Sequence, residues 1–559
     1  MAESVLITPF TLSSPVEHVF PTLTPAQVER VAEVGRRRRV EAGEVLASAE
    51  GQTTRFFVVT EGHLALARVT GETEDLVAIH RPGQFTGELN MLSGRHGFVR
   101  VRAGEAGEVI EVDREQLLAL VQTDSELSEI LMRAFILRRL ELIKHGLGDV
   151  VLLGSSHSAG TLRVKEFLTR NGYPHSYLDL ERDAGVQTLL DRFQVSVADV
   201  PVLICRGTTV LRNPTNQQIA ECLGLNAPID QAQVRDVVVV GAGPAGLAAA
   251  VYGASEGLDV LVVESTAPGG QAGSSSKIEN YLGFPMGISG NELAARAYTQ
   301  AQKFGARMIV ARSAQQLRCE RRPFAVQIDE GPPVAARTVI IATGASYRKL
   351  AVDGLARFEG NGVYYGATPI EAQLCRDEDV IVVGGGNSAG QAAVFLAQTA
   401  HRVHMLVRAR GLAESMSRYL IRRIERTPTI ELRTETEIVR LEGNGRLQGV
   451  SWRDDRSGSV ENRDIRHVFV MTGADPNTRW LADCVALDGK GFIKTGPDLT
   501  PEDLAAAGWP LARPPHLLET SLPGVFAVGD VRGGNMKRVA SAVGEGSSAI
   551  AFVHRVLAE

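Results

Sequence analysis

The sequence predicts a multidomain chain: an N-terminal β-roll, a small α/β unit, and then two larger α/β domains that each carry a nucleotide-binding fingerprint. Three observations predict it. At 559 residues the chain is too long for one hydrophobic core. Short strands with alternating apolar positions occupy its N-terminal part. Further on, two apolar runs each end in a glycine-rich turn that opens a helix.

The first expected domain spans residues 15–145. Strands are read at Phe56 to Thr60, Leu64 to Arg68 and Leu76 to Ile79, and the turn Arg81-Pro82-Gly83-Gln84-Phe85-Thr86-Gly87-Glu88-Leu89 follows. A helix from about Ser125 to Lys144 closes the domain. The pattern resembles a cyclic-nucleotide-binding domain. The resemblance implies that Gly87 opens a phosphate cassette and that Glu88 takes a ribose 2′-hydroxyl. The arginine that would pair with the cyclic phosphate falls at Gly97. Losing one charge-assisted contact costs roughly 1.5–3 kcal/mol. Arg95 or Arg100 could replace it only if the loop is rearranged, so a structural or partner-docking role is expected, with cyclic nucleotide binding as the alternative. The basic run Arg36 to Arg39 reads as a solvated face or a strand edge.

Residues 150–228 alternate as a small βαβ unit: Val150 to Leu153, a helix from about Thr161 to Asn171, a strand at Tyr177 to Leu180, and Val200 to Ile204. They resemble a glutaredoxin-like thioredoxin fold, in which Asp199-Val200-Pro201 matches a cis proline before a strand. The Cys-x-x-Cys of that fold aligns with Ser158, Ala159, Gly160 and Thr161, so the thiols are gone. Ser158 is then more simply a helix cap.

The first fingerprint runs from Asp236 through four valines to Gly241, Ala242, Gly243, Pro244, Ala245 and Gly246, with Glu264 ending the next apolar run. Gly241 makes the tight turn, Gly243 lets the backbone approach a pyrophosphate, and Gly246 lets helix pack on strand. The helix N-terminus offers amides and a positive dipole to phosphates. Glu264 is spaced to accept hydrogen bonds from a ribose. The second fingerprint runs from Asp379 to Gly384, Gly385, Gly386, Asn387, Ser388, Ala389 and Gly390. A glycine-rich turn can also mark nothing more than close helix–strand packing, but the pair predicts two Rossmann-like units and two nucleotides.

Further segments say which nucleotides. Gly269-Gly270-Gln271-Ala272 precedes Ile278-Glu279-Asn280-Tyr281-Leu282-Gly283-Phe284-Pro285. Ala342-Thr343-Gly344-Ala345 closes a strand, Gly473 to Asn477 reads Gly-Ala-Asp-Pro-Asn, and Val525 to Val531 contains Gly529-Asp530. In this order, residues 236–559 resemble the thioredoxin reductase flavoproteins. The resemblance implies an FAD domain at 232–350 and 475–559, with an NAD(P)H domain inserted at 360–474. It puts FAD on Gly241, Gly243, Pro244, Ala245, Gly246, Glu264, Gly270, Gln271, Asn280, Thr343, Gly344, Gly529 and Asp530, with Lys537, Arg538 and Val539 near the flavin. Asp530 could equally be a helix cap. The second nucleotide would sit on Gly384, Gly386, Asn387, Ser388 and Ala389. One of the family's adjacent arginines for the 2′-phosphate aligns at Arg408; the next position is Ala409, and Arg410 could compensate. NADPH is therefore expected, with NADH as the alternative.

The family's Cys-x-x-Cys pair falls on Gly366 and Pro369, whose side chains can neither attack a disulfide nor form a thiolate. Of the five cysteines, Cys205, Cys222, Cys319, Cys375 and Cys484, none shows metal or redox spacing, and each reads as a reduced, partly buried hydrophobe. Cys375 alone lies near the altered segment. Residues Thr495 to Pro515 form a longer loop than the family's, fit to cover the flavin domain or to shape a partner surface.

The net charge of −6 gives no support for nucleic-acid binding, and no apolar run reaches the roughly 18 residues a membrane span needs. No signal-peptide pattern opens the chain, so a cytoplasmic location is expected. The leading expectation is an FAD oxidoreductase that passes electrons from NADPH to an unidentified protein or small-molecule acceptor, without a resident dithiol, as a homodimer and with no metal. The alternatives are a thioredoxin-disulfide reductase working through a partner or Cys375, a ferredoxin or flavodoxin reductase, and a flavin-based redox or nucleotide sensor.

Overall fold

The computed structural model describes residues 12, 14–48, 55–70, 73–93, 95, 97, 99–146, 148–155, 158–183, 196, 199–206, 208–481 and 484–559. Seven strands build the N-terminal unit: β1 (Arg36–Val40), β2 (Val45–Ala47), β3 (Phe56–Glu61), β4 (Leu64–Thr70), β5 (Thr73–His80), β6 (Arg100–Ala103) and β7 (Gly107–Val112). They form two sheets, ordered β1-β7-β3 and β2-β6-β4-β5. Strand β3 serves two cores because successive side chains point to opposite faces. Phe56 and Val58 pack with Phe85, Ile110 and Phe135, whereas Phe57 and Val59 pack with Leu64 and Val101. Helix α1 (Ser125–Lys144), capped by Asp124 accepting from the Leu127 amide, supplies Phe135 to the first core. The basic run is the edge strand β1, its arginines paired with Glu29, Glu44, Glu108 and Glu111.

The next unit has strands β8 (Val150–Gly154), β9 (Ser176–Asp179), β10 (Val202–Cys205) and β11 (Thr209–Arg212), with helices α2 (Ala159–Arg170) and α3 (Asn216–Cys222). The sheet order is β11-β10-β8-β9, with β8 parallel to β9 and the other pairs antiparallel. That is the arrangement the resemblance implies, and the Val200–Pro201 bond is cis. Residues 184–195 of the expected span lie outside the described residues. The core of this unit is continuous with the next, since Val310 and Ala311 pack among Phe167, Leu203 and Leu225.

A central sheet carries the first fingerprint, with β12 (Arg235–Val240), β13 (Val260–Val263), β14 (Arg307–Ile309), β15 (Ala314–Arg318), β16 (Phe324–Ile328) and β17 (Val334–Ile341) in the order β14-β13-β12-β17-β16-β15. The late strand Val525–Ala527 adds in parallel beside β17, so the sheet is built from both ends of the segment. Four adjacent valines of β12 are buried on both faces, as an interior parallel strand requires. Helix α4 (Pro244–Ser255) packs along the C-terminal helix Val539–Ala558: a Cβ on Gly546 would stand 2.1 Å from the Ala245 carbonyl oxygen, so only glycine allows the approach.

Between β17 and that late strand the chain leaves through β18 (Ala345–Tyr347) and builds a second parallel sheet from β19 (Val363–Tyr364), β20 (Asp379–Val383), β21 (Arg402–Val407) and β22 (Ile430–Thr434). A three-stranded antiparallel sheet, β23 (Thr436–Glu442), β24 (Gly449–Asp454) and β25 (Val460–Arg463), precedes β26 (His467–Val470), which completes the order β19-β26-β20-β21-β22. Strand β27 (Ala474–Pro476) then returns antiparallel to β18, so one sheet is inserted into the other through a two-stranded crossover. Among the described residues no helix is long and apolar enough to cross a membrane.

Candidate nucleotide and electron-transfer site

The first fingerprint lies at the carboxyl end of β12, between β13 and β17, where parallel α/β sheets open a crevice. Its glycines differ in why they are glycine. Gly241 has φ +105°, and a Cβ there would be 2.3 Å from the Ala342 carbonyl oxygen; a Cβ on Gly246 would be 1.9 Å from the Gly241 oxygen. Both are demanded by the fold. At Gly243 the first atom met is the Gly270 Cα, at 3.9 Å, so the chain itself leaves this space free. Gly243 caps α4 without any side-chain bond, leaving the first-turn amides open, and Pro244 removes one that would have no partner.

Glu264 is buried behind this turn. One carboxylate oxygen accepts from the Ala242 amide at 2.7 Å and the other from the Thr266 amide at 2.9 Å, while burial pushes its pKa up. Each oxygen keeps a lone pair for a further donor such as a ribose hydroxyl. The short helix α5 (Gly270–Gly273) lies across the turn, with Gly269 and Gly270 both at positive φ and Gln271 Nε2 donating to the Ala345 oxygen. Thr343 and Gly344 are stitched to the returning segment: Thr343 Oγ1 donates to the Asn477 oxygen at 2.9 Å, Asn477 Nδ2 donates to the Thr343 oxygen at 2.8 Å, and the Asn477 amide donates to the Gly344 oxygen at 3.0 Å. At the end of the late strand, Gly529 has φ +72° and its amide donates to Glu545 at 2.7 Å. Asp530 makes no hydrogen bond within the chain among the described residues, and burial pushes its carboxyl up while Lys537 opposes this. Lys537 is exposed over the Phe492 ring.

A cleft of about 330 Å³ separates the two halves, with Asn280, Tyr281, Arg538 and Val539 on one wall and Ser417 and Tyr419 on the other. The Tyr419 hydroxyl is buried there without a hydrogen-bond partner among the described residues. Sequence reasoning missed Ser417, Tyr419 and Glu545; they follow from which loops the fold brings together, and no motif marks them.

At the second fingerprint, Gly384 has φ +140° and a Cβ would meet the Met471 oxygen at 2.3 Å. Gly386 caps helix α7 (Asn387–Leu396), which follows β20, with no side-chain bond. Asn387 Oδ1 accepts from the Ser417 amide at 2.8 Å, Ser388 shares a hydrogen bond with the Tyr347 hydroxyl, and Ala389 is fully buried. Arg408 is exposed just past β21 with no ion-pair partner among the described residues. Arg410, also exposed, is 3.5 Å from Glu435.

The segment from Gly366 to Pro369 leads into a helix start. Thr368 caps helix α6 (Pro369–Leu374), accepting from the Ile370 amide at 3.2 Å, and Glu371 accepts from the Thr368 amide at 2.9 Å. Gly366 faces Ser274, whose nearest atoms would be 3.8 Å from a Cβ built on Gly366. Cys375 is fully buried, its thiol bonded to the Ala372 oxygen and its pKa pushed up to about 12 by burial. In the small unit Ser158 caps α2, accepting from the Thr161 amide.

The expectation that all five cysteines are reduced is corrected at one pair, while Cys205, Cys222 and Cys375 are free thiols. Cys319 and Cys484 form a disulfide across 165 residues of sequence, which no spacing rule could reveal. Cys205 and Cys222, at the ends of β10 and α3, hydrogen-bond to each other, which pushes the Cys205 thiol up and draws the Cys222 thiol down. Among the described residues, no group of three His, Cys, Asp or Glu is placed to hold a metal.

The β-roll cassette is occupied by the chain's own arginines. Arg139 of α1 donates from Nε and Nη2 to one Glu88 oxygen, at 3.0 and 2.5 Å, and from Nη1 to the Gly172 oxygen at 3.0 Å; Arg138 donates to the Gly87 oxygen at 2.8 Å. A Cβ on Gly97 would touch nothing within 4 Å. Neither candidate replacement is available, because Arg95 donates to the Leu225 oxygen at 3.0 Å and to the Tyr298 hydroxyl at 2.6 Å, and Arg100 pairs with Glu74.

The profile described as pyridine nucleotide-disulphide oxidoreductase matches residues 235–546, more than half of the chain. The chain belongs to this family. This pyridine nucleotide-disulphide oxidoreductase carries in addition a match to the cyclic nucleotide-binding domain at residues 37–124. It is 35% identical over 335 residues to the thioredoxin reductase of Mycolicibacterium smegmatis, covering 58% of this chain and 97% of that one. Among solved structures it is similar to the thioredoxin reductases of Lactococcus lactis in the FR conformation, TM-score 0.52 at 26% identity, and of T. acidophilum, TM-score 0.51 at 28% identity. Each covers 58% of this chain and 99% of its own. The protein is thus an FAD-dependent NAD(P)H oxidoreductase on a thioredoxin-reductase-like scaffold, of a family that uses FAD and NADPH.

Proposed function

We propose that this chain passes electrons from NADPH through FAD to an acceptor that it reaches without a dithiol of its own. The observation that carries this reading is the combination of two intact nucleotide cradles with Gly366 and Pro369 in place of sulfur. The open space and unused amides at Gly243, together with the half-buried Asp530 carboxylate, fit FAD: the turn would hold the pyrophosphate and Asp530 the ribityl hydroxyls. When bound, FAD supplies hydride acceptance from NADPH and onward transfer of one or two electrons.

The residues of the chain have narrower tasks. Gly386 and the amides of α7 would hold the second pyrophosphate, and Arg408 would grip the 2′-phosphate. Glu264 would orient the adenosine ribose of FAD, with Ala242 and Thr266 fixing its carboxylate. Asn280, Tyr281, Arg538 and Val539 would line the flavin side of the cleft, and Ser417 and Tyr419 would close the nicotinamide side against water. Cys375 offers no substitute for the missing pair, because a thiol held near pKa 12 and fully buried presents no thiolate to a disulfide. The acceptor is then a small molecule or a protein redox partner, and the functional unit is a homodimer.

Anaerobic stopped-flow of the holoenzyme with NADPH, then NADH, followed by a panel of one- and two-electron acceptors, tests the reading. Flavin bleaching by NADPH and reoxidation by at least one acceptor are expected. A flavin that NADPH does not reduce refutes it.

A further inference from the structure

The small α/β unit carries Ser158 and Thr161 where a Cys-x-x-Cys would stand, yet it reaches the first nucleotide cradle. Its helix α2 ends in Arg170, which leaves its own unit: Nη2 donates to the Gly270 oxygen at 2.8 Å and to the Ala267 oxygen at 3.4 Å. The other terminal nitrogen is held by Glu166, one turn back, at 3.4 Å. The Arg170 side chain is 14% exposed, so these charge-assisted bonds form largely out of water, where they are stronger than at a surface.

Gly270 is the residue that lies on the fingerprint. A Cβ built on it would stand 2.9 Å from the Gly243 Cα, so its backbone is already at contact distance from the turn with the open amides. The adjoining Gly269 and Gly270 both have positive φ, a conformation that glycine enters but does not enforce. Something outside the turn must hold it. On the same short helix, a Cβ on Gly273 would stand 3.6 Å from Arg170 Nη2, so the guanidinium spans the length of α5. The charge also reaches Glu264, where it favours the carboxylate against the effect of burial. One side chain therefore acts on the turn, on the segment covering it and on the ribose acid.

We propose that Arg170 is a positioning residue for FAD, which makes the small α/β unit a fixed brace of the flavin site. By tying the Gly270 and Ala267 carbonyls it holds α5 over Gly243 and keeps the space for the pyrophosphate preformed. This rests on the reading that the first fingerprint holds FAD. The alternative is that Arg170 only glues two units together, and a second arginine on the same helix separates the two. Arg163 donates to Asn216 Oδ1 and to the Pro214 oxygen, both at 2.6 Å, entirely within its own unit.

The experiment is titration of full-length, flavin-stripped protein with FAD, followed by flavin fluorescence, for wild type, Arg170→Met, Arg170→Lys and Arg163→Met, with the NADPH dissociation constant measured in parallel. Arg170→Met should raise the Kd for FAD about tenfold or more, Arg170→Lys by an intermediate factor, and Arg163→Met by less than about twofold, with NADPH binding unchanged in all. If Arg170→Met does not fold, Arg170→Lys decides. Equal weakening by Arg170→Met and Arg163→Met, or an unchanged Kd in both Arg170 variants, overturns the inference while leaving the function above intact. Wild type that binds no FAD overturns the function itself.

Discussion

Gly243 and Gly246 stand in one turn but answer to different constraints, and single substitutions should separate them. A side chain at Gly246 collides with the Gly241 carbonyl, so Gly246→Val is expected to lower stability by several kcal/mol and to yield little soluble protein. A Cβ at Gly243 meets no protein atom closer than 3.9 Å, so Gly243→Val should fold with wild-type circular dichroism yet purify colourless, because its methyls fill the pyrophosphate's place. Retention of full flavin absorbance by folded Gly243→Val would remove FAD from this turn. The same reasoning ranks the two arginines at the second nucleotide. Arg408 has no ion-pair partner among the described residues and Arg410 is shared with Glu435, so Arg408→Ala should lower the NADPH/NADH ratio of kcat/KM roughly 10- to 100-fold, the worth of one charge-assisted bond. Arg410→Ala should change it less. An unchanged ratio in both variants would put the coenzyme grip elsewhere.

At the scale of elements, the strand–turn–helix units were legible because local chemistry writes them: four valines before a glycine turn, a cap residue before a helix, two glycines at the crowded crossings. Helix α1 has the bounds its periodicity predicts, and Ser158 is the cap it reads as. What sequence could not supply is pairing between distant elements. The Cys319–Cys484 disulfide, the thiol contact between β10 and α3, and Arg95 reaching Tyr298 all join segments that the topology alone brings together. Gly366 and Pro369 were legible as identities, and the structure adds what they build. A capping box begins α6 at Thr368, and the neighbouring Cys375 closes that helix from inside the core. At pH 7 a thiol near pKa 12 is thiolate in only about one molecule in 10⁵. NADPH-dependent thioredoxin reduction should therefore be negligible while ferricyanide turns over, and Cys375→Ser should leave both unchanged. Thioredoxin turnover at about 10 per second, an ordinary enzymatic rate, would contradict this; its disappearance in Cys375→Ser would identify the single cysteine as the route.

At the scale of the molecule, charged side chains tie the N-terminal units to the flavin scaffold, and these ties determine what the β-roll can do. Arg95 runs from the roll to Leu225 and Tyr298, Arg139 from the cassette acid Glu88 to Gly172, and Arg170 from the small unit to Gly270. The segment from Thr495 to Pro515 is tied down as well: Trp509 Nε1 donates to the Arg513 oxygen, and Arg513 pairs with Glu519 and Glu559. In the roll, a ribose would have to compete with Arg139 for Glu88, and a cyclic phosphate would find neither the arginine replaced by Gly97 nor a free Arg95 or Arg100. The interactions a nucleotide would need are already made internally, and breaking the Arg139–Glu88 pair takes its carboxylate away from a buried guanidinium. Cyclic AMP and cyclic GMP should therefore leave thermal unfolding unchanged at millimolar concentration. A ligand at a hundred times its Kd adds about 2.7 kcal/mol to the state it binds, which in a domain of this size moves the midpoint on the order of 5–10 °C, so even weak binding would be visible. A shift of that size with either nucleotide would mean that the cassette opens, and the Arg139–Glu88 tie would then be the contact that ligand breaks; Arg139→Ala should in that case strengthen the shift, whereas a permanently closed cassette predicts no response in either protein.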